Sequence, residues 1–412
     1  MKKNINKSTA KKLEISRQDK KEQTKLLKGK VQRLVQKLEQ SAPAVDCRLA
    51  KATDTNRPVT FFIGIDLGDQ KSNYCMMDEG KEIRAEDKLA TTTEAFKAYF
   101  SSIPRSRIAL EVGTHSPWVS ELLESLGHEV YVANPRKMES IKKSKRKNDK
   151  EDARKLARLV RADPELLYPI RHRGLQARED LILLRARDAA VRSRTMLINC
   201  VRGLVKSVGG RIPKCDGKNF HQHAEGALPE SIREALLPLV KQVATLTGLI
   251  REYGKKLDKM AATKYPETEL LRQVKGVGGL TSLAFVLTLE KPERFGKSRD
   301  VGSYLGLVPK QYDSGESSKQ LRITKTGDEM VRRLLVSCAQ YILGRFGEDS
   351  DLRRFGLKLA ARGGKNAKKR AVTAVARKLG VLLHRLWMTG EVYEPLRNTR
   401  LQEEALAEVA NG

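Results

Sequence analysis

Aromatic side chains are scarce in this chain, 5% of its 412 residues. That argues against the stacking platforms on which single-strand-binding proteins rely. The five cysteines (Cys47, Cys75, Cys200, Cys215, Cys338) form no CxxC pair, so neither a disulfide framework nor a zinc site is expected, and the thiols read as reduced. No apolar run reaches membrane-spanning length, and the Lys-rich start has no apolar core of a secretory signal. The expectation is a cytoplasmic, nucleoid-associated protein with no membrane partner. Acidic charge is short as well: 50 Asp+Glu stand against 80 Lys+Arg, a net +30. Charge of that size favours a polyanion, and nucleic acid fits it better than a small acidic substrate.

What is present falls into blocks. Residues 1–58 are a Lys/Gln/Glu-rich extension with a weak helical stripe through Leu26, Leu27, Val31, Leu34, Val35 and Leu38, either a helix that folds on a partner or a solvated arm. From Val59 the texture turns to strands: Phe61–Leu67, Lys71–Met77, Lys81–Ala90, Arg107–Gly113 and Glu129–Ala133. Helices are expected over Thr92–Ile103, Pro117–Leu126 and Asp149–Leu167. Three successive strands followed by helix–strand alternation predict a mixed α/β sheet. Residues 171–265 read as a long helical segment, with a stripe through Leu181, Leu184, Ala189, Met196, Val201 and Leu204 that breaks at Gly209, Gly210 and Pro213. A helical hairpin or coiled coil, serving as spacer or oligomer interface, is the expected form. Residues 266–398 form a mainly helical second unit, and 399–412 a polar tail.

Within the basic background a few acids stand out. Asp66 sits inside an apolar strand run between Gly64 and Gly68, where a carboxylate is costly unless a cation compensates it. Glu111 ends another strand. Asp149 and Asp152 are spaced i, i+3 on one helix face, beside the cations Lys145, Arg146 and Lys147. Four hard oxygen donors brought together would hold two Mg²⁺ ions for phosphoryl transfer, with Mn²⁺ able to stand in. Taken singly, Asp149 and Asp152 read equally as a capping pair at Asn148, and Glu111 as the partner of a core arginine. Asp69 and Asp78 lie in turns and are set aside.

In the second unit, Val274–Leu280 (Val-Lys-Gly-Val-Gly-Gly-Leu) is a Gly-rich turn between helical stretches, similar to a helix-hairpin-helix turn that meets duplex backbone, with Lys275 in it. Ser314 precedes Gly315 in a stretch that follows Pro309, and from the residues alone it is an ordinary turn serine, with Ser317 and Ser318 beside it. Arg322, Lys325, Arg332 and Arg333 are candidate phosphate contacts, the last two equally a solvated helix face.

The order and spacing of Gly64-Ile65-Asp66, Leu110-Glu111-Val112-Gly113-Thr114, Asn148-Asp149-Lys150-Glu151-Asp152, Tyr304-Leu305-Gly306-Leu307-Val308-Pro309, Tyr312-Asp313-Ser314-Gly315 and Arg322-Ile323-Thr324-Lys325-Thr326-Gly327 resemble the IS110/IS1111 family of insertion-sequence transposases. The resemblance implies a RuvC/RNase H-like DEDD domain over 59–170, a coiled-coil segment, and a mainly α C-terminal domain. It also implies Mg²⁺ on Asp66, Glu111, Asp149 and Asp152, and Ser314 as a nucleophile joined covalently to DNA. The implied partners are duplex DNA, a structured non-coding guide RNA, and further copies of the chain in a dimer or tetramer. The residues leave two other classes open: a Holliday-junction-type endonuclease using the acids with water, and a basic nucleic-acid-binding protein that keeps the fold without catalysis.

Overall fold

The computed structural model describes residues 58–138, 148–314 and 317–402, with the side chains of 313–320 outside that description. The helical stripe of the N-terminal extension and the last ten residues lie outside the described residues. The chain divides into two compact units between His172 and Arg173.

The first unit is a five-stranded mixed sheet in the order β3-β2-β1-β4-β5. Its strands are β1 (Phe61–Asp66), β2 (Lys71–Met77), β3 (Ile83–Ala90), β4 (Ser106–Glu111) and β5 (Glu129–Ala133). Short turns join β1, β2 and β3 into an antiparallel meander, whereas β1, β4 and β5 run parallel because helices return the chain between them. Those helices are α1 (Thr93–Phe100) and α2 (Ser116–Ser125). They cover one face of the sheet, where Ile63, Ile65, Ile108 and Leu110 meet Phe96, Phe100, Val119 and Leu123.

The other face carries α3 (Asp149–Ala162). Strand alternation puts Gly64, Cys75, Ala109 and Ala133 on this side, and α3 answers with Ala153, Leu156, Ala157 and Val160. Small residues on both partners allow very close approach. A Cβ built on Gly64 would stand 2.0 Å from the carbonyl oxygen of Ala153 and 2.4 Å from the amide nitrogen of Ala157, so only glycine fits under the helix. Phe62, one pleat back, packs with Leu156 and Val160; the helix therefore runs so that its first turn lies toward the Asp66 end of β1. Asn148 caps it by accepting from the Lys150 amide, and Asp149, Glu151 and Asp152 occupy the first turn, where carboxylates complement the helix dipole. Helix periodicity over Asp149–Leu167 anticipates one element, but α3 stops at Ala162. Asp163 turns extended and caps a 3-10 turn, Pro164–Leu167, because Pro164 cannot continue an α-helix.

A second tie fixes α3 on the sheet. Arg154 donates from Nε and Nη2 to the two carboxylate oxygens of Glu86 on β3, at 2.6 and 2.9 Å, and to Glu151 at 2.7 Å. The Arg154 guanidinium, bonded to Glu86, holds that carboxyl below the usual glutamate range.

The second unit opens with two long helices packed on each other, α4 (Leu175–Ser207) and α6 (Glu230–Lys264), with the short α5 (Phe220–Glu225) between them. Buried Asp180 ties the start of α4 to the end of α6 by accepting from Lys264 and the Tyr265 hydroxyl, with Gln176 also donating to it. Val201 and Val205 face α5 and α6, while Leu181 and Leu184 enter the main core. Met196 and Leu204, which the sequence stripe includes, are exposed at 64% and 45%: the helix serves two cores, and one continuous stripe does not describe it. The main core is built by α7 (Glu267–Arg272), α8 (Gly279–Leu289), α9 (Asp300–Tyr304), α10 (Glu329–Leu343) and α12 (Ala367–Thr389), with α11 (Asp351–Ala361) alongside. A two-stranded hairpin, β6 (Pro309–Ser314) and β7 (Ser317–Ile323), interrupts the helices. Among the described residues no helix is long and apolar enough to cross a membrane, and Cys75, Cys200, Cys215 and Cys338 are free thiols.

Gly64→Ala is expected to cost about 3 kcal/mol in a urea titration, the upper end for overpacking against backbone. Gly113→Ala, where nothing lies within 4 Å of the new Cβ, should change stability by less than about 0.5 kcal/mol. The Glu86 tie predicts a pH signature. A carboxyl whose folded pKa is depressed stabilises above its unfolded value, about 4.3, and loses that contribution as pH falls through the lower folded value. Glu86→Gln should therefore lower stability by about 1–2 kcal/mol at pH 7, and its melting temperature should converge with that of the parent chain in acid below about pH 4.

Candidate nuclease site and the second-unit loops

Asp66 and Glu111 are the last residues of β1 and β4. The two strands are parallel neighbours in register up to Ile65 opposite Leu110, so the two acids come next to each other at the carboxyl edge of the sheet. Both share the parity of Gly64 and Ala109, the α3 face. Each is partly buried and each is engaged in an interaction in the folded chain. Asp149 and Asp152 stand in the first turn of α3, toward the same edge. Asp149 is exposed, and Asp152 pairs with Lys155 at 3.2 Å. Thus β1, β4 and α3 bring the four acids to one end of one unit. Among the described residues no group of three or more His, Cys, Asp or Glu side chains is close enough to hold a metal ion, so elements converge here while the carboxylates do not yet close on one point.

The loops that follow the two acidic strands are well held. After β1, a Cβ on Gly68 would stand 2.2 Å from the Lys71 carbonyl oxygen, and Thr91 donates from Oγ1 to the Gly68 carbonyl at 2.8 Å. After β4, Ser116 Oγ accepts from the Gly113 amide at 3.0 Å and contacts His172 Nε2 at 3.0 Å. Two residues at this edge have no signal in the sequence pattern. His115 accepts at Nδ1 from the Trp118 indole N–H, 3.1 Å away, which leaves its Nε2 as the protonated nitrogen of the neutral ring, 3.5 Å from Asp69 Oδ1. Asn73 on β2 is opposite Asp66 in the β1–β2 register and is 5% exposed. Its Oδ1 is buried without a hydrogen-bond partner among the described residues. Periodicity marks a residue's face but not its neighbours on other turns and strands, so neither could be found from spacing.

The donor set suits a hard divalent cation in kind: carboxylate oxygens from three elements, with the buried amide oxygen of Asn73, unpartnered among the described residues, opposite one of them. Lys145, Arg146 and Lys147 lie outside the described residues.

In the second unit the motif residues interlock. Gly306 has φ +67°, and a Cβ there would stand 2.1 Å from the Thr326 carbonyl oxygen; Gly327 has φ +76°, and its Cβ would stand 1.9 Å from that of Tyr304. Lys325, itself at φ +56°, donates its amide to the Gly306 carbonyl at 3.1 Å. Arg332 Nη1 donates to the carbonyls of Leu305 and Thr326 at 3.1 and 2.9 Å, so its guanidinium ties these loops together. Arg333 pairs with Asp188 of α4. The side chains of Arg322 and Lys325 are exposed. Lys275 sits in the turn between α7 and α8, 3.6 Å from Glu348, both exposed, and Gly276 there has φ +97°. Ser314 ends β6, its backbone paired with Ser317, while Asp313 pairs with Ser318; the side chains of all four are outside the description.

Two family models match the chain: one described as a transposase, of the DEDD type named for IS110, over residues 63–209, and one described as the transposase IS116/IS110/IS902 family over 268–355. The chain is 26% identical over 344 residues to the transposase for insertion sequence element IS1111A of Coxiella burnetii, covering 80% of this chain and 90% of that protein. It is 27% identical over 293 residues to the transposase for insertion sequence element IS1328 of Yersinia enterocolitica, covering 70% and 85%. A probable family 20 transposase of Pseudomonas aeruginosa is 27% identical over 300 residues, 71% and 86% of the two chains. With both halves matched in order, and a mixed α/β unit followed by a helical one, the chain belongs to the IS110 family of insertion-sequence transposases.

Proposed function

We propose that this DNA transposase cuts and exchanges strands with a divalent cation, Mg²⁺ with Mn²⁺ able to replace it, held by Asp66, Glu111, Asp149 and Asp152, and with Ser314 as nucleophile. The observation that carries the reading is the side-by-side ending of parallel β1 and β4 in Asp66 and Glu111, with the acidic first turn of α3 toward the same edge. On this reading residues 59–170 are a RuvC/RNase H-like domain, 171–265 a coiled-coil segment through which copies assemble, and 266–398 the serine-bearing domain.

A bound divalent ion would supply charge neutralisation at the scissile phosphate. The acids exclude phosphate from their own edge in its absence, which makes them a poor general DNA contact and a suitable cation cradle. Ser314 Oγ attacks phosphorus: the Oγ–P bond forms, a bridging P–O bond of the strand breaks, the serine proton passes to a base, and the departing deoxyribose oxygen takes up a proton. Gly315 follows the serine, as expected where a backbone turn must present a hydroxyl. Exposed Arg322 on β7 and Lys325 just after it are suited to grip phosphates, and the net charge of +30 supports a long nucleic-acid footprint of duplex DNA with a guide RNA transcribed beside the gene.

Asp66→Asn is expected to lower strand cleavage at least about 1,000-fold with DNA affinity nearly intact, and chelation of divalent ions should have the same effect, reversed by Mg²⁺. Ser314→Ala should abolish the covalent protein–DNA adduct seen on a denaturing gel. Recombination that persists in Ser314→Ala would sink the serine mechanism, and cleavage that persists without the adduct would favour the acid-only endonuclease. Digesting co-purified RNA should stop target recognition; unchanged recognition would remove the guide from the scheme.

A further inference from the structure

Asn73 lies directly across from Asp66 in the antiparallel β1–β2 ladder. Opposed residues share a face, with Cβ atoms about 5 Å apart, so this amide belongs to the α3 side, one pleat beyond the covered Gly64–Cys75 pair. It is 5% exposed, and its Oδ1 is buried with no hydrogen-bond donor among the described residues. The neighbouring β2 positions of the same parity, Cys75 and Met77, carry side chains of low polarity, so the strand accepts such a residue at this depth. A buried polar oxygen with no partner among the described residues is suited to receive a ligand.

The chemistry of that missing partner is constrained. It must offer positive charge or a donor to an amide oxygen, and it must lie beside a carboxylate at the carboxyl edge of the sheet. Amide oxygens are hard, neutral donors of the kind that join carboxylates around divalent cations. One such donor adds coordination without adding repulsion to acids already gathered at one edge. We propose that Asn73 Oδ1 is a further oxygen donor to the divalent cation of the Asp66 and Glu111 site, directly or by orienting a water on that cation. The assignment rests on the four-acid reading above.

The test is Mn²⁺ binding by calorimetry to full-length protein, with and without duplex DNA, alongside melting in metal-free buffer. The unsubstituted chain should bind Mn²⁺, Asp66→Asn should lose it, and Asn73→Ala should bind about tenfold more weakly. Asn73→Asp, which adds charge to the same oxygen position, should bind at least as tightly as the parent. In metal-free buffer Asn73→Ala should melt no lower than the parent, because it removes an unsatisfied buried polar atom, and Mn²⁺ should raise its melting temperature less. Equal Mn²⁺ affinity in the parent, Asn73→Ala and Asn73→Asp, with Asp66→Asn weakened, overturns the Asn73 assignment alone. Unweakened binding in Asp66→Asn overturns the acid site beneath it, and no Mn²⁺ binding by the parent chain overturns both.

Discussion

The close seating of α3 on β1 is the contact on which the first unit depends. Gly64 lies beneath the backbone of Ala153 and Ala157, and the surrounding positions on both elements are small or apolar. Contact this close sets the height of the helix above the sheet, and the Phe62 packing sets its direction. Together they fix where the first turn of α3 falls relative to the ends of β1 and β4. The Arg154–Glu86 bonds then hold the same helix against rotation from the β3 side. A site whose acids come from separate elements depends on such rigid seating, since a shift of about 1 Å is enough to spoil a catalytic constellation.

Electrostatics at that edge follow from the seating. The first turn of α3 places Asp149, Glu151 and Asp152 at the positive end of the helix dipole. Nearby cations on the helix are turned inward to acids of the same unit: Arg154 to Glu86 and Glu151, Lys155 to Asp152. A protein with a net charge of +30 thereby keeps a local acidic edge. The second unit uses backbone contact to hold its motif loops. Its two motif loops meet at Gly306 and Gly327, and Arg332 clasps both. That interlock brings together Gly306 and Gly327 from either side of the β6–β7 hairpin. It also gives Arg332 a structural task, distinct from that of exposed Arg322 and Lys325.

Much of the first unit was legible in the chain. Apolar runs between turn residues mark β2 and β5 at their observed bounds, and β1 within one residue. Asn148 ahead of an acid-rich turn marks the start of α3. Three strands before the first helix predict the mixed sheet, because short turns make antiparallel pairs while helical returns make parallel ones. The second unit was less legible. The hairpin β6–β7 is built largely of polar residues, and in its second strand only Leu321 and Ile323 alternate, too short a run to mark it. In α4 the buried set changes face along the helix between two cores, and a single period drawn through Met196 and Leu204 fails.

By itself the sequence determined which acids stand out: Asp66, costly within an apolar strand, Glu111 at a strand end, and Asp149 with Asp152 a turn apart. It did so because hydropathy and its periodicity are local properties of the chain. Only the tertiary structure decided that β1 and β4 are parallel neighbours, that α3 points its acidic turn to their shared edge, and that Asn73 faces Asp66 across the β1–β2 ladder. Register and helix seating come from contacts between residues distant in sequence, above all the fit of Ala153 and Ala157 over Gly64, and no local pattern contains them.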